Sequence, residues 1–351
     1  MTSPRVSVVI DTYNYGRFIE DAVNSALAQD FPKDQMEILV VDDGSTDDTG
    51  ERVAKYGNSV RYLRKQNGGQ ASAINFGMSH AKGELVAFLD GDDVWARNKI
   101  SRVVQEFDKY PSVVMVYNRF CFWDGRDGRT SRAPFSAVAG DVVADWRKLL
   151  EYFGAPTSSL AFRRCALERL IPIPESLVFM ADTPLIGLAI FLGRVGAVDE
   201  CLTKNRVHGE NLWYAEGKPS PEVLRRRVKA REAAIAAMRG WLQLNAPQSL
   251  KPQARVFLHR WRLIQDDEEF QLRQPGRFRQ FVHLCRDALI TRPIVSKGNL
   301  AFRWAYAFAV LIAGKRARHV ERMRVRVKVL KRRLQQPSRR VDSTTTVAGG
   351  S

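Results

Sequence analysis

Nowhere in the 351-residue sequence is there an apolar run long enough to cross a membrane. The longest nearly uncharged stretch, Trp304 to Gly314, has 11 residues, against about 20 for a helix that spans hydrocarbon. The first apolar run, Val6 to Ile10, breaks at Asp11 and is too short for a secretory signal core. Cysteine is scarce as well. The four present, Cys121, Cys165, Cys201 and Cys285, form no C-x-x-C pair, so their spacing suggests neither a disulfide framework nor a zinc site. These absences point to the reducing cytoplasm. Acidic charge is short in one region only: residues 1–220 hold 26 basic and 29 acidic side chains, whereas residues 221–340 hold 29 and 8. All of the net positive charge therefore sits in the last third. A hydrophobic fraction of 45% excludes global disorder and supplies a sizeable core.

What is present begins with alternation. Val6–Ile10, Glu37–Val41, Val60–Leu63 and Leu85–Leu89 are short β-branched or apolar runs that read as buried strands. Helical periodicity follows each: behind Gly16, over Asp47–Tyr56, over Ala71–His80 and over Lys99–Tyr110. Strand and helix repeated four times with short links predict an α/β fold whose parallel sheet is flanked by helices on both faces. From Val113 to His208 the pattern is less regular, with strand-like pieces at Val113–Tyr117, Ser159–Phe162 and Val198–Thr203 and a helix near Leu185–Leu192. After Gly217 the composition turns to Arg- and Ala-rich helices, roughly Glu222–Leu244, Gln253–Gln271 and Gly276–Leu289. The spacing thus predicts a domain over residues 1–217, its halves meeting near 112, then a basic helical extension over 218–340 and a disordered tail over 341–351. Within the extension, Met323–Leu330 alternates apolar and basic residues like a strand.

Ligands in parallel sheets bind beyond the carboxyl ends of the strands. The four predicted strand ends carry Asp11-Thr12-Tyr13-Asn14, Asp42-Asp43-Gly44-Ser45, Gln66-Asn67-Gly68-Gly69 and Asp90-Gly91-Asp92-Asp93, so polar and acidic groups gather on one edge. Two carboxylates separated by a glycine, as in Asp90-Gly91-Asp92, can bend toward one point and hold a hard divalent cation bridged to phosphate oxygens. The plainer alternative is a turn whose acids cap the next helix. Asp43 offers acceptors to a nucleobase imide and a ribose hydroxyl, both of which are donors. A calcium loop is the other reading there, but the D-x-D-x-D-G spacing is missing.

Taken in order, Val6-Ser-Val-Val-Ile-Asp-Thr-Tyr-Asn-Tyr, Leu39-Val-Val-Asp-Asp-Gly-Ser-Thr-Asp-Asp-Thr, Asn67-Gly-Gly-Gln-Ala-Ser-Ala-Ile-Asn and Phe88-Leu-Asp-Gly-Asp-Asp-Val-Trp resemble the successive signatures of family 2 glycosyltransferases. These are inverting enzymes of the GT-A fold, a Rossmann-like, mostly parallel sheet flanked by helices. The resemblance covers about the first 210 residues. It implies a nucleotide-sugar donor, commonly a UDP-sugar, a glycan or lipid-linked acceptor, and Mg²⁺ or Mn²⁺ at the diphosphate. It implies nucleotide binding around Asp11, Thr12, Asp43, Asn67, Gly69, Asp90 and Arg206, with Asp43 on the uracil and ribose. Asp92 becomes the direct metal ligand and Asp90 approaches ribose and metal. Asp11 departs from the proline or threonine usual at its place. Met180-Ala181-Asp182 is similar to the family's Glu-Asp pair, with Ala181 in the place of Glu, and makes Asp182 the base that deprotonates the acceptor hydroxyl. Asp182-Thr183-Pro184 also reads as an ordinary helix start. Arg206-Val207-His208 resembles the family's R-x-H stretch, where His208 and Arg206 reach the metal or the diphosphate and stabilise the leaving nucleotide.

The basic third has two readings. Leu300–Ala313 followed by Lys315-Arg-Ala-Arg-His suits an amphipathic helix on an anionic membrane surface, through residues 299–335, which implies a peripheral place on the inner face of the cell membrane. The other is a helical cover over the catalytic domain with solvated arginines. Nucleic acid is not an expected partner, because no helix-turn-helix spacing, RNP motif or zinc finger accompanies the basic residues, but a non-enzymatic basic protein that binds nucleic acid or an anionic surface stays as the alternative of a different class. A sugar nucleotidyltransferase, the alternative enzyme, opens with a Gly-rich, Arg- and Lys-bearing loop that Asp11-Thr-Tyr-Asn-Tyr-Gly is not.

Overall fold

The computed structural model describes residues 3–125, 128–133, 137–152, 155–209, 211 and 220–273. In chain order the elements are β1 (Val6–Thr12), α1 (Gly16–Leu27), β2 (Met36–Asp42), α2 (Thr49–Ala54), β3 (Arg61–Arg64), α3 (Gln70–His80), β4 (Leu85–Asp90), β5 (Val94–Trp95), α4 (Lys99–Lys109), β6 (Val113–Asp124) and β7 (Thr130–Arg132). They continue with α5 (Trp146–Glu151), β8 (Leu160–Arg163), α6 (Arg164–Leu167), α7 (Asp182–Ala189), β9 (Arg194–Val207), α8 (Pro221–Asn245) and α9 (Lys251–Arg273). One sheet runs in the order β3-β2-β1-β4-β8-β6-β9-β5, with β7 beside β6.

The first four strands are parallel, as their alternation with helices requires. Beyond β4 the sheet changes character. Strand β8 is antiparallel to both β4 and β6, β5 and β7 are antiparallel to their neighbours, and β6 with β9 is the one further parallel pair among the described residues. The sheet is therefore mixed rather than mostly parallel. The reason lies in the connections: the strand–helix alternation lapses after β6, where β7 follows without a helix, and β8 runs back between β4 and β6.

Period-two alternation assigns the strand residues to two faces. Val8 and Ile10 pack with Ile19, Val23, Ile100 and Phe107 under α1 and α4. Val9 and Phe88 pack on the other face with Ile74 and Met78 of α3 and with Leu185 of α7. That second face also takes Ala234, Ile235, Met238 and Leu242 of α8 and Phe257 of α9. A Cβ on Gly187 would lie 2.7 Å from Met238 Sδ and 2.9 Å from Phe257 Cζ, so a residue without a side chain lets the helices meet. Burying Met238 and Phe257 contributes about 1.5–3 kcal/mol each.

These contacts move the predicted boundary. The compact unit runs through Arg273, and α8 and α9 belong to it instead of to a separate extension that begins near 218. The predicted helix Gly276–Leu289, the alternating segment Met323–Leu330, the membrane-facing stretch 299–335 and the tail 341–351 lie outside the described residues. Among the described residues no helix is long and apolar enough to cross a membrane. One sequence expectation is corrected outright. Cys121 on β6 and Cys201 on β9 form a disulfide across 80 residues, because adjacent strands bring together thiols whose linear spacing carries no signal.

Candidate active site

The turns after β1, β2 and β4 are fastened to one another by main-chain bonds. The Asp43 amide donates to the Thr12 carbonyl at 2.9 Å and the Gly91 amide to the Asp11 carbonyl at 2.8 Å. A Cβ on Gly91 would sit 2.7 Å from Thr12 Oγ1, so the glycine of Asp90-Gly91-Asp92 is required by contact with β1. Asp11 and Asp90 are directly paired in register. Their carboxylates form a buried floor: Asp11 Oδ1, Thr12 Oγ1 and Asp90 Oδ1 are enclosed and accept no hydrogen bond among the described residues.

Charge converges on that floor. Burial, then Asp92, then Asp43 and Asp182 push the Asp11 carboxyl up to about 7. Burial, then Asp11, Asp93, Asp92 and Asp182 hold Asp90 well above the ordinary carboxylate range. Aspartates at the ends of β1, β2 and β4 and at the start of α7 thus act on one another's charge. Asp90, Asp92 and Asp93 bring ligand oxygens within 4.8 Å of one another. Hard oxygen donors with lone pairs in reserve suit a hard divalent cation, and the unpartnered Asp90 Oδ1 and the Asp92 carboxylate meet that requirement. Asp93 does not. Its oxygens accept from Ser158 Oγ at 2.6 Å, Asn205 Nδ2 at 2.6 Å and the Arg206 amide at 2.9 Å, which ties the turn to β9.

The other predicted residues fall into two groups. Asp43 is buried but fully engaged: it accepts from the Gly68 amide at 3.0 Å, the Gly69 amide at 2.6 Å and Lys65 Nζ at 2.7 Å, and so shapes the loop after β3. Gly69 adopts φ +84°, a left-handed conformation natural to glycine. Asn67 is exposed at the rim. His208 Nε2 lies 2.9 Å from Asp92 Oδ2, with its ring against Phe18 and Tyr15, so the imidazole sits on the metal-site carboxylate itself. Arg206 was expected to reach a diphosphate, yet its Nε donates to the Asp92 carbonyl at 2.8 Å and its Nη2 to Asp21 at 2.6 Å. The guanidinium lies between Phe18 and Trp123, 4.7 and 4.2 Å from their centroids. It braces the turn from behind.

Asp182 opens α7, half-buried, with its carboxylate 3.4 Å from Thr157 Oγ1. Burial raises its pKa above the ordinary value, a property suited to a base. Met180, two residues before it, has φ +64°.

Several participants receive no role from the sequence pattern. Tyr15 faces the acids; burial, then Asp92 and Asp90, keep its phenol protonated as a donor. Ser158 Oγ accepts from the Asp90 amide at 3.0 Å while donating to Asp93, and its carbonyl accepts from buried Lys99 Nζ at 2.6 Å. Burial pushes the Lys99 ammonium well below its usual range. Thr157 and Ser158 lie on a single turn, Thr157–Ser159, that touches both the metal turn and Asp182.

The sequence pattern of Glycosyl transferase family 2 matches residues 7–170. An uncharacterized glycosyltransferase of Nostoc sp. is 36% identical over 228 residues, which span 62% of this chain and 69% of that protein. The chain belongs to glycosyl transferase family 2. This glycosyltransferase is also 40% identical over 213 residues to an uncharacterized glycosyltransferase of Rickettsia prowazekii, of whose length it spans 58%. Among solved structures, the S. aureus TarS 1–349 fragment in complex with UDP-GlcNAc is similar with a TM-score of 0.54 at 21% identity, covering 88% of the glycosyltransferase and 92% of that chain. A mannosyltransferase from Pyrobaculum calidifontis, in complex with GDP-Man and Mn²⁺, is similar with a TM-score of 0.50 at 22% identity, over 90% of the glycosyltransferase and 88% of that chain.

Proposed function

We propose that the cleft transfers a sugar with inversion from a UDP-sugar to a hydroxyl of a glycan or lipid-linked acceptor. The observation that carries this reading is the meeting of Asp43, Asp92 and Asp182 around the buried floor of Asp11 and Asp90. The nucleotide lies against the loop that Asp43 shapes, with Thr12, Asn67 and Gly69 along it. Asp90 and Asp92 would hold Mg²⁺ or Mn²⁺, which would supply positive charge at the diphosphate when bound. His208 orients the Asp92 carboxylate, and Arg206 fixes the backbone of the same turn. Asp182 takes the acceptor hydroxyl proton as oxygen attacks the anomeric carbon from the face opposite the nucleotide. Support for UDP comes from the TarS fragment, solved with UDP and with UDP-GlcNAc, and from 36% identity to TarS over 116 residues. Support for a metal comes from the mannosyltransferase with Mn²⁺. A peripheral place on the inner membrane face belongs to the same proposal, while the Cys121–Cys201 disulfide argues against the reducing-compartment premise of a cytoplasmic location.

Asp182→Asn tests it. The variant is expected to bind UDP with Mn²⁺ as the parent does, by calorimetric titration, and to lose about 10²–10⁴-fold in transfer rate, the usual worth of a positioned base. Transfer at the parental rate would remove Asp182 from the mechanism.

A further inference from the structure

Helix α3 begins on the loop that Asp43 holds and itself holds the segment that ends at Asp182. Asn75 pairs with Ile173 in both directions, Nδ2 donating to the carbonyl and Oδ1 accepting from the amide, each at 2.8 Å. Nearer the helix start, Ser72 Oγ meets Glu175 Oε1 at 3.2 Å. Gln70, the first helical residue, makes three bonds. Its amide donates to the Val178 carbonyl at 2.9 Å. Its Oε1 accepts from the Ala181 amide at 3.2 Å, and its Nε2 donates to Thr157 Oγ1 at 3.2 Å. Beside it, a Cβ on Gly69 would lie 2.8 Å from the Val178 Cα, so the two loops touch backbone to backbone.

Two consequences reach the base. The Thr157 hydroxyl has one hydrogen and two lone pairs. With Gln70 Nε2 on a lone pair, the hydrogen is directed to Asp182 Oδ2, 3.4 Å away. Met180 keeps a left-handed φ of +64°, a conformation that a non-glycine residue retains only where its surroundings impose it. Gln70 imposes it from both sides, through Val178 and Ala181.

We propose that Gln70 is a positioning residue that ties the nucleotide loop to the base, so that a nucleoside diphosphate held on the Asp43 loop sets the orientation of Asp182. This rests on the donor-site reading above and deepens it. A base whose alignment tightens when the donor is in place disfavours donor loss to water between encounters with acceptor.

Hydrogen exchange of the full chain, with and without UDP and Mn²⁺, tests the coupling. In the parent, the ligand is expected to slow exchange over residues 178–183 by about fivefold or more, the lower range of site-to-site coupling. In Gln70→Ala the UDP affinity is expected to stay within about threefold, slowing at Gly68 and Gly69 to persist, and slowing at 178–183 to vanish. Thr157→Val and Thr157→Ser carry the same test without touching α3: the first loses the response at Asp182 and the second recovers it. Slowing at 178–183 that survives in Gln70→Ala and Thr157→Val overturns the proposal. Loss of UDP affinity in Gln70→Ala also overturns it, since Gln70 is then a donor contact. Failure of the parent to bind UDP with Mn²⁺ overturns the donor-site reading instead, and shows itself before any substitution is made.

Discussion

The turns after β2 and β4 both carry adjacent aspartates, and the fold uses them in opposite ways. After β2, Asp42 accepts from the Ser45 amide at 2.7 Å and from the Tyr62 hydroxyl, and Asp43 accepts from two amides and Lys65. Every charge there is answered by donors. After β4, Asp90 Oδ1 is buried with no donor, and Asp92 has His208 beside it while Asp11, Asp90 and Asp93 crowd the same space. Buried carboxylates without donors cost stability, and folds retain them where a ligand answers the charge. The β2 turn is architecture; the β4 turn is held in readiness.

The largest effect that separates the two turns is expected from Asp92→Ala. It removes a proposed cation ligand and no strut of the fold, so turnover and metal-dependent UDP binding are expected to fall together, turnover by about a thousandfold given several kcal/mol of charge stabilisation. The melting temperature of the metal-free protein is expected to hold. An unfolded Asp92→Ala protein would mean that this carboxylate is architectural like those after β2.

Next comes pH. Burial raises the Asp182 pKa above the usual carboxylate value, and its anion is the active form of a base. Activity is therefore expected to fall on acidification through a limb that lies above the ordinary carboxylate range, about tenfold per pH unit in kcat/KM. The pH profile of Asp182→Asn residual activity is expected to lack that limb.

These differences show what the sequence discloses. The parallel strands and the acids at their ends are legible, because period-two runs and D-x-D spacing are local. Asp43 is legible as a site residue, but its three donors come from residues 65, 68 and 69, and no pattern shows that they are directed at it. Arg206 is legible as part of a motif, but its sandwich between Phe18 and Trp123 joins three distant segments. Thr157 and Ser158 belong to no acidic or glycine-rich cluster, and Gln70, although inside the Asn67-Gly-Gly-Gln signature, carries no sign of its partners. Their role arises from pairing across 87 residues of chain in the case of Gln70 and Thr157, and although the strand near Ser159–Phe162 is legible, its antiparallel direction is not.

Smaller in size is the stability cost of Asp43→Asn. The substitution turns one acceptor into a donor facing an amide and leaves Lys65 without its carboxylate. Hydrogen bonds to charged groups are worth about 1.5–3 kcal/mol, so a loss of about 2 kcal/mol is expected in denaturant unfolding. The loop after β3 is expected to exchange faster, and UDP binding to weaken with it.

The smallest expected effect has the opposite sign and bears most directly on the contrast. Burial and then Asp11 hold the Asp90 carboxyl well above its unfolded value of 3.8, so the fold resists an ionisation that the unfolded chain undergoes freely. Stability contributed by this group therefore falls as pH rises beyond the unfolded value, and Asp90→Asn, nearly identical in shape, removes that loss. At neutral pH without metal the variant is expected to be more stable than the parent by about 1 kcal/mol, as relief of strain held at a functional site. Saturating Mn²⁺ binds only the folded state and binds the parent better, so it is expected to reverse the order of the two melting temperatures. A β2-turn substitution gains nothing in either condition. If Asp90→Asn melts lower than the parent without metal, the Asp90 carboxylate has donors of its own and the contrast between the turns dissolves.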